Sequence, residues 1–185
     1  LLADWIRRNK TFDDDTVLFL QIIRRKKDNP EAKAQQTLRN FYLKSAEDLL
    51  ARKDEILYWC NVHNARAYLR LNVRSKRKIA LQTLALVAEN ISNDNYNIKN
   101  CYESVAGQYH SDPDKTWIID LDDDEYADSL KYQIADCISS LVQQTGKDPE
   151  ILWLNTKNGV HLICRPFNTA KFTLAMGFPA PHHKD

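Results

Sequence analysis

The sequence predicts an α+β protein in which helices pack on one face of a mixed or antiparallel sheet. Short apolar or alternating runs at residues 17–23, 66–72 and 117–122 read as strands. Tyr126, Leu130, Ile134, Cys137 and Leu141 recur at helical spacing between the last of these strands and Gly146. Asn158-Gly159, set between two apolar runs, is a strong hairpin signal. From residue 66 the order is therefore strand, helix, strand, helix, strand, strand, preceded by a strand-strand-helix extension. The expected division is an N-terminal αβ extension over 1–64 and a core over 65–185.

The first ten residues hold one or two helical turns, and Asp13, Asp14 and Asp15 read as solvated loop. Residues 17–23 are β-branched and apolar. Arg24-Arg25-Lys26-Lys27 follows as a solvated strand end or a phosphate contact, and Asp28-Asn29-Pro30 turns the chain toward a returning strand at 36–43. Ser45-Ala46-Glu47-Asp48 resembles a capping box, with Asp in place of Glu or Gln, and opens a helix to about residue 60. His63 is a polar residue at the end of that helix. Over 66–72, Ala67, Leu69 and Leu71 alternate with Arg66, Tyr68, Arg70 and Asn72; the second set is a solvent face or a surface for nucleotide or template.

Ser75 caps a helix to about residue 91. Arg74, Lys76, Arg77 and Lys78 crowd its start, against the macrodipole preference, so solvation or an anionic partner is expected there. Residues 92–115 form a long polar loop containing Tyr102, Gly107 and Tyr109, with a short helix near 101–106. Beyond the hairpin, residues 168–172 begin a helix, and in the Pro-containing tail His182-His183 reads as part of a disordered tail or tag remnant rather than as a metal pair.

At 185 residues, with 43% hydrophobic and 28% charged, the chain has enough apolar content to exclude a disordered protein. A net charge of +1 means that any nucleic-acid affinity must come from a local patch. Cys60, Cys101, Cys137 and Cys164 form no C-x-x-C pair, which argues against a zinc site or a disulfide framework; Cys137 and Cys164 are expected to be buried. No apolar run reaches the length of a membrane span and no secretory leader is visible, so a cytoplasmic protein with no membrane partner is expected. The chain opens on Leu1 rather than Met, as a processed or trimmed chain does.

The chemistry concentrates at 117–167. Strand alternation puts Asp120 and Asp122 on one face, opposite Trp117, Ile119 and Leu121. In the hairpin, His161, Ile163 and Arg165 share a face opposite Val160, Leu162 and Cys164. If the strands are neighbours, two carboxylates, an imidazole and a guanidinium meet on one sheet face. Hard oxygen ligands at i and i+2 suit Mg²⁺ or Mn²⁺, and a His and an Arg beside them suit phosphates. Asp120 interrupts an apolar run, where an unpaired carboxylate is costly. Asp123 and Asp124 fit the ordinary role of acids ahead of a helix.

Trp117-Ile118-Ile119-Asp120-Leu121-Asp122 resembles the apolar-Asp-x-Asp motif of the archaeo-eukaryotic primase superfamily, which includes primase-polymerases. Thr156-Lys157-Asn158-Gly159-Val160-His161 is similar to its second motif, a hydroxyl residue and glycine turn ending in His. The order matches, over roughly residues 66–167. The resemblance implies a core related to the RNA-recognition fold and template-directed polymerisation of NTPs or dNTPs on single-stranded or primed nucleic acid. It implies that Asp120 and Asp122 hold the divalent metal and that His161 contacts the incoming phosphates. Face and position add Lys157, Arg165 and Arg70 as charges toward the triphosphate. The family's third motif, a later apolar-Asp, has no clear counterpart, since only Asp185 follows His161. The alternatives are an inactive primase-like or RNA-recognition-like module that binds nucleic acid through Arg66, Tyr68 and Arg70, and a metal-dependent nuclease.

Overall fold

The apolar run beginning at Val17 forms the centre of one sheet, and the Trp117 motif the centre of another. The structure is a computed structural model that describes residues 1–108 and 112–184. Its chain divides into two compact units, one holding Ala3–Asp112 and the other beginning at Pro113. The protein is α+β, with both sheets antiparallel.

The N-terminal elements are α1 (Leu2–Asn9), β1 (Thr16–Arg24), β2 (Gln36–Leu43), α2 (Ala46–Ala51), α3 (Lys53–Val62), β3 (Arg66–Ser75), α4 (Lys76–Ser92) and α5 (Cys101–Gln108). The sheet order is β2-β1-β3. β1 is central, and Val17, Leu18, Phe19, Leu20 and Ile22 are all buried, which is why its sequence is a nearly continuous apolar run. Phe19 packs with Ile79, Val105 and Ala106, and the Tyr42 ring stacks on it at 5.2 Å.

Several expectations are corrected here. The single helix expected from residue 46 to about 60 is broken at Arg52, which leaves the helical region at φ −93°, ψ 1°. The alternation read over 66–72 is not seen in the burial of β3: Ala67 is exposed like Tyr68, Leu69 and Arg70 are both half-buried, and Leu71 through Ser75 are all buried, so Asn72 is not on an open face. The Arg74 guanidinium donates to the backbone carbonyls of Ala106 and Asn72, which satisfy a buried charge. Asp15 is not solvated loop: its carboxylate accepts from Ser75 Oγ and, at 2.9 Å, from the Arg77 amide. It is the anionic partner at the basic start of α4. Lys10 and Asp112 form a buried ion pair, and Asp112 also accepts from the Val73 amide at 3.2 Å.

The C-terminal elements are β4 (Trp117–Asp122), α6 (Asp128–Gln143), β5 (Leu152–Asn155), β6 (Gly159–Cys164), α7 (Thr169–Met176) and β7 (His183–Lys184). The sheet order is β5-β6-β4-β7. This strand-helix-strand-strand-helix-strand order, with strands in the sheet order β5-β6-β4-β7, is the split βαβ arrangement, and it lies wholly after residue 116. The sequence grouped β3 with that core, whereas β3 hydrogen-bonds to β1, and the fourth strand is β7, from the tail expected to be disordered.

Ile119, Leu121, Val160, Leu162 and Cys164 pack against Ile134, Ala135, Ile138, Leu141 and Val142 of α6 and Phe172 of α7. Asn168 caps α7 by accepting from the Lys171 amide at 3.0 Å, and Gly177 ends it in the left-handed conformation at φ 77°. Cys137 is half-buried rather than buried. Among the described residues no helix is long and apolar enough to cross a membrane.

Gly159 has a specific task in this sheet. A Cβ there would lie 2.1 Å from the Leu121 carbonyl oxygen and 2.8 Å from the Asp122 Cα. Gly159→Ala should therefore destabilise the protein by about 1–3 kcal/mol in urea unfolding, because backbone rather than a flexible side chain must move. Gly146→Ala meets no neighbouring atom within 4 Å and strains only a left-handed turn at φ 73°, so its loss should be smaller, about 1 kcal/mol.

Candidate functional site

β4 and β6 pair so that Asp120 lies directly opposite His161, and Asp122 opposite Gly159. The pairing follows from the hairpin. The Thr156 amide donates to the Gly159 carbonyl at 2.9 Å to close the turn, and the Asp123 amide donates to the Asn158 carbonyl at 2.8 Å, tying the turn to the end of β4. Because Ile119 and Leu121 are buried on the helix side, Asp120 and Asp122 must face the opposite side with His161. Leu152 and Ile163 share that face by register and are buried, while Asp120, Asp122 and His161 are partly exposed.

His161 Nε2 stands 3.2 Å from Asp120 Oδ1. The other carboxylate oxygen, Oδ2, accepts from Lys184 Nζ at 2.7 Å. Lys184 reaches it because β7 runs beside β4 with Lys184 opposite Ile118, on the Asp120 face. Burial opposes the charged form of Asp120, but the hydrogen bond and charge of Lys184, followed by those of His161, outweigh it and hold the carboxyl below its ordinary range. The Asp122 side chain makes no hydrogen bond or ion pair among the described residues, although its carbonyl accepts from the Glu125 and Tyr126 amides at 3.2 and 3.0 Å. Asp123 is engaged elsewhere, in an ion pair with Lys131, which also meets Asp128 at 3.2 Å; it is structural, but as an ion-pair partner rather than a cap, since α6 opens with no side-chain cap and only Asp128 lies in its first turn.

The residues read as phosphate contacts lie on different elements. Lys157 is exposed at the hairpin turn. Arg165 lies just past β6, and its guanidinium donates to the Asp114 carbonyl at 3.1 Å. Arg70 is on β3, in the N-terminal sheet, opposite Phe19. Arg66, from the alternative nucleic-acid surface, is paired with Asp28 at 2.6 Å. Asp185 and Tyr109 lie outside the described residues. Cys164 is buried behind the sheet, which pushes its thiol up to about 12 and removes it as a nucleophile.

Lys184 is the residue that sequence reasoning missed. A two-residue strand has no periodicity to read. The only available signal was topological: strand, helix, strand, strand, helix leaves a split βαβ sheet one strand short.

Two carboxylates at i and i+2 offer hard oxygens to a divalent ion, with water and phosphate to complete its shell, which is how Mg²⁺ is commonly held. Among the described residues no group of three or more His, Cys, Asp or Glu side chains is arranged to hold a metal ion. The chain matches no family model, and no curated protein or solved structure matches it.

A carboxyl held below its ordinary range stabilises the fold at neutral pH, and that contribution is lost as the pH falls through the depressed value. Asp120→Asn should thus give a flatter acid limb than wild type when urea stability is followed from about pH 5 to pH 2. Equal slopes would show that the Lys184 and His161 contacts do not act on Asp120 in solution.

Proposed function

We propose that the sheet from Trp117 onward is the core of a primase-like nucleotidyltransferase, which binds NTP or dNTP with Mg²⁺ or Mn²⁺ and extends a nucleic-acid strand. The observation that carries this reading is the cross-strand placement of Asp120 against His161, 3.2 Å apart, with the unpartnered Asp122 carboxylate one step along the same face. Asp120 and Asp122 would hold the divalent ions. When bound, these activate a 3′-hydroxyl and steady the pyrophosphate leaving group. His161 then turns from Asp120 to the incoming phosphates, and Lys157 at the turn adds charge from above.

The same sheet argues against recognition by base stacking alone. RNA-recognition domains stack bases on aromatics of their open face. Here the aromatics of the strands, Trp117 and Trp153, pack on the helix-covered core instead, and the central positions of the other face are Asp120 and His161. The Asp122 carboxylate on this face has no cationic partner among the described residues, and it repels a nucleic-acid backbone unless a cation intervenes, which favours metal-dependent chemistry over a plain binding module.

Calorimetry with ATP and dATP, with and without Mn²⁺, tests the reading. Wild type should bind only with metal, and Asp120→Ala/Asp122→Ala should lose binding by tenfold or more, the roughly 1.4 kcal/mol or more that a lost metal-bridged contact is worth. A folded wild-type protein that binds neither nucleotide under any condition overturns it. With binding in hand, a primed template should be lengthened; a shortened strand would assign the same acids to a nuclease.

A further inference from the structure

Asp120 does not wait with its carboxylate bare. One oxygen faces His161 at 3.2 Å and the other is held by Lys184 at 2.7 Å, so both positions from which a cation would be bound are already served by the chain. Asp122, on the same face, has no such partner. Lys184 is half-exposed, at 52%, so its ammonium sits at the rim and can swing away without unburying a core residue. Its backbone is fixed at β4 by the two-residue pairing of β7 with Ile118 and Ile119, and the Trp117 ring stacks on neighbouring His183 at 3.8 Å, anchoring the strand that carries it.

Resting on the metal-dependent reading above, we infer that Lys184 is an exchangeable counter-ion of the site: it neutralises Asp120 until a divalent cation takes that carboxylate, and then turns to the phosphates of the nucleotide. The exchange raises the positive charge of the face, since a divalent ion arrives and the ammonium remains on the chain, and the phosphates of the nucleotide balance that excess. With Lys184 on one oxygen of Asp120, a divalent ion on either oxygen stands close to the ammonium, and the repulsion between the two cations in a partly buried site favours displacement of the lysine. The displaced ammonium remains on β7, within side-chain reach of the same face, where a triphosphate brings the negative charge it has lost. Lysine suits this better than arginine, being a compact point charge on a flexible stem rather than a rigid fork that would hold the carboxylate with two bonds.

The inference predicts two opposite changes in one variant. Manganese binding, followed by the electron paramagnetic signal of free Mn²⁺, and dATP binding at saturating Mn²⁺, followed by calorimetry, are compared for wild type, Lys184→Met and Lys184→Arg. Lys184→Met should bind Mn²⁺ about threefold to fivefold more tightly, the range set by a partly exposed ion pair, and should bind dATP several-fold more weakly. Lys184→Arg should recover dATP binding only in part and bind Mn²⁺ no more tightly than wild type. A merely structural role for Lys184 predicts that both affinities fall together, because a loosened β7 would damage the whole site. Unchanged or weaker Mn²⁺ binding in Lys184→Met overturns the inference while leaving the metal site standing, and so does tighter Mn²⁺ with unchanged dATP. Absence of Mn²⁺ binding by both wild type and variant overturns the metal-dependent reading itself, and this inference with it.

Discussion

The C-terminal unit depends on a period of two residues meeting a helix. Burial of Ile119 and Leu121 under α6, opposite Leu162 and Val160, fixes which way every other side chain of β4 points. Each of those apolar side chains contributes on the order of 1.5–3 kcal/mol when fully buried. A slip of one residue would expose them and drive Asp120 and Asp122 into the core, where an unpaired carboxylate is far more costly than a lost contact. The acids are therefore held in register by the apolar residues between them. His161 inherits its place in the same way, from Val160 and Leu162 on either side of it.

Charge is handled differently in the two units. In the N-terminal unit, ionic groups are spent on architecture: Arg74 closes on carbonyls, Lys10 on Asp112, and Asp15 on the start of α4. These groups are buried or doubly bonded, and removing one partner would strand the other. In the C-terminal sheet the acids are partly exposed, one is held by residues at its rim, and one is left without a partner. That contrast, rather than the number of charges, separates groups that hold the fold from groups available for chemistry.

What could be read from the sequence was whatever a local rule controls. Every strand except β7, the Asn158-Gly159 hairpin, the caps at Ser45 and Ser75 and the facing of Asp120 follow from apolar patterning, turn chemistry and short side-chain bonds. Adjacency of Asp120 and His161 was legible only as a condition, because strand pairing across about forty residues is decided by packing and not by either strand alone. β3 carries no local mark that it belongs to β1. The buried C-terminal end of β3 was missed because Asn72 and Arg74 are polar, and Arg74 is satisfied in part by the Ala106 carbonyl of a distant segment. β7 was missed because two residues cannot show a pattern.

Gly159 bears on how such a site changes over generations. With no side chain at that position, the hairpin rests against the backbone of Leu121 and Asp122, and the spacing of acid and histidine strands is set by main-chain hydrogen bonds. The tip of the turn at Lys157 is exposed and outside that ladder. Substitutions there can accumulate without disturbing the spacing, whereas almost any replacement of the glycine would be purged. Lineages of this fold would thus diverge first at the lip of the sheet and last at its seam.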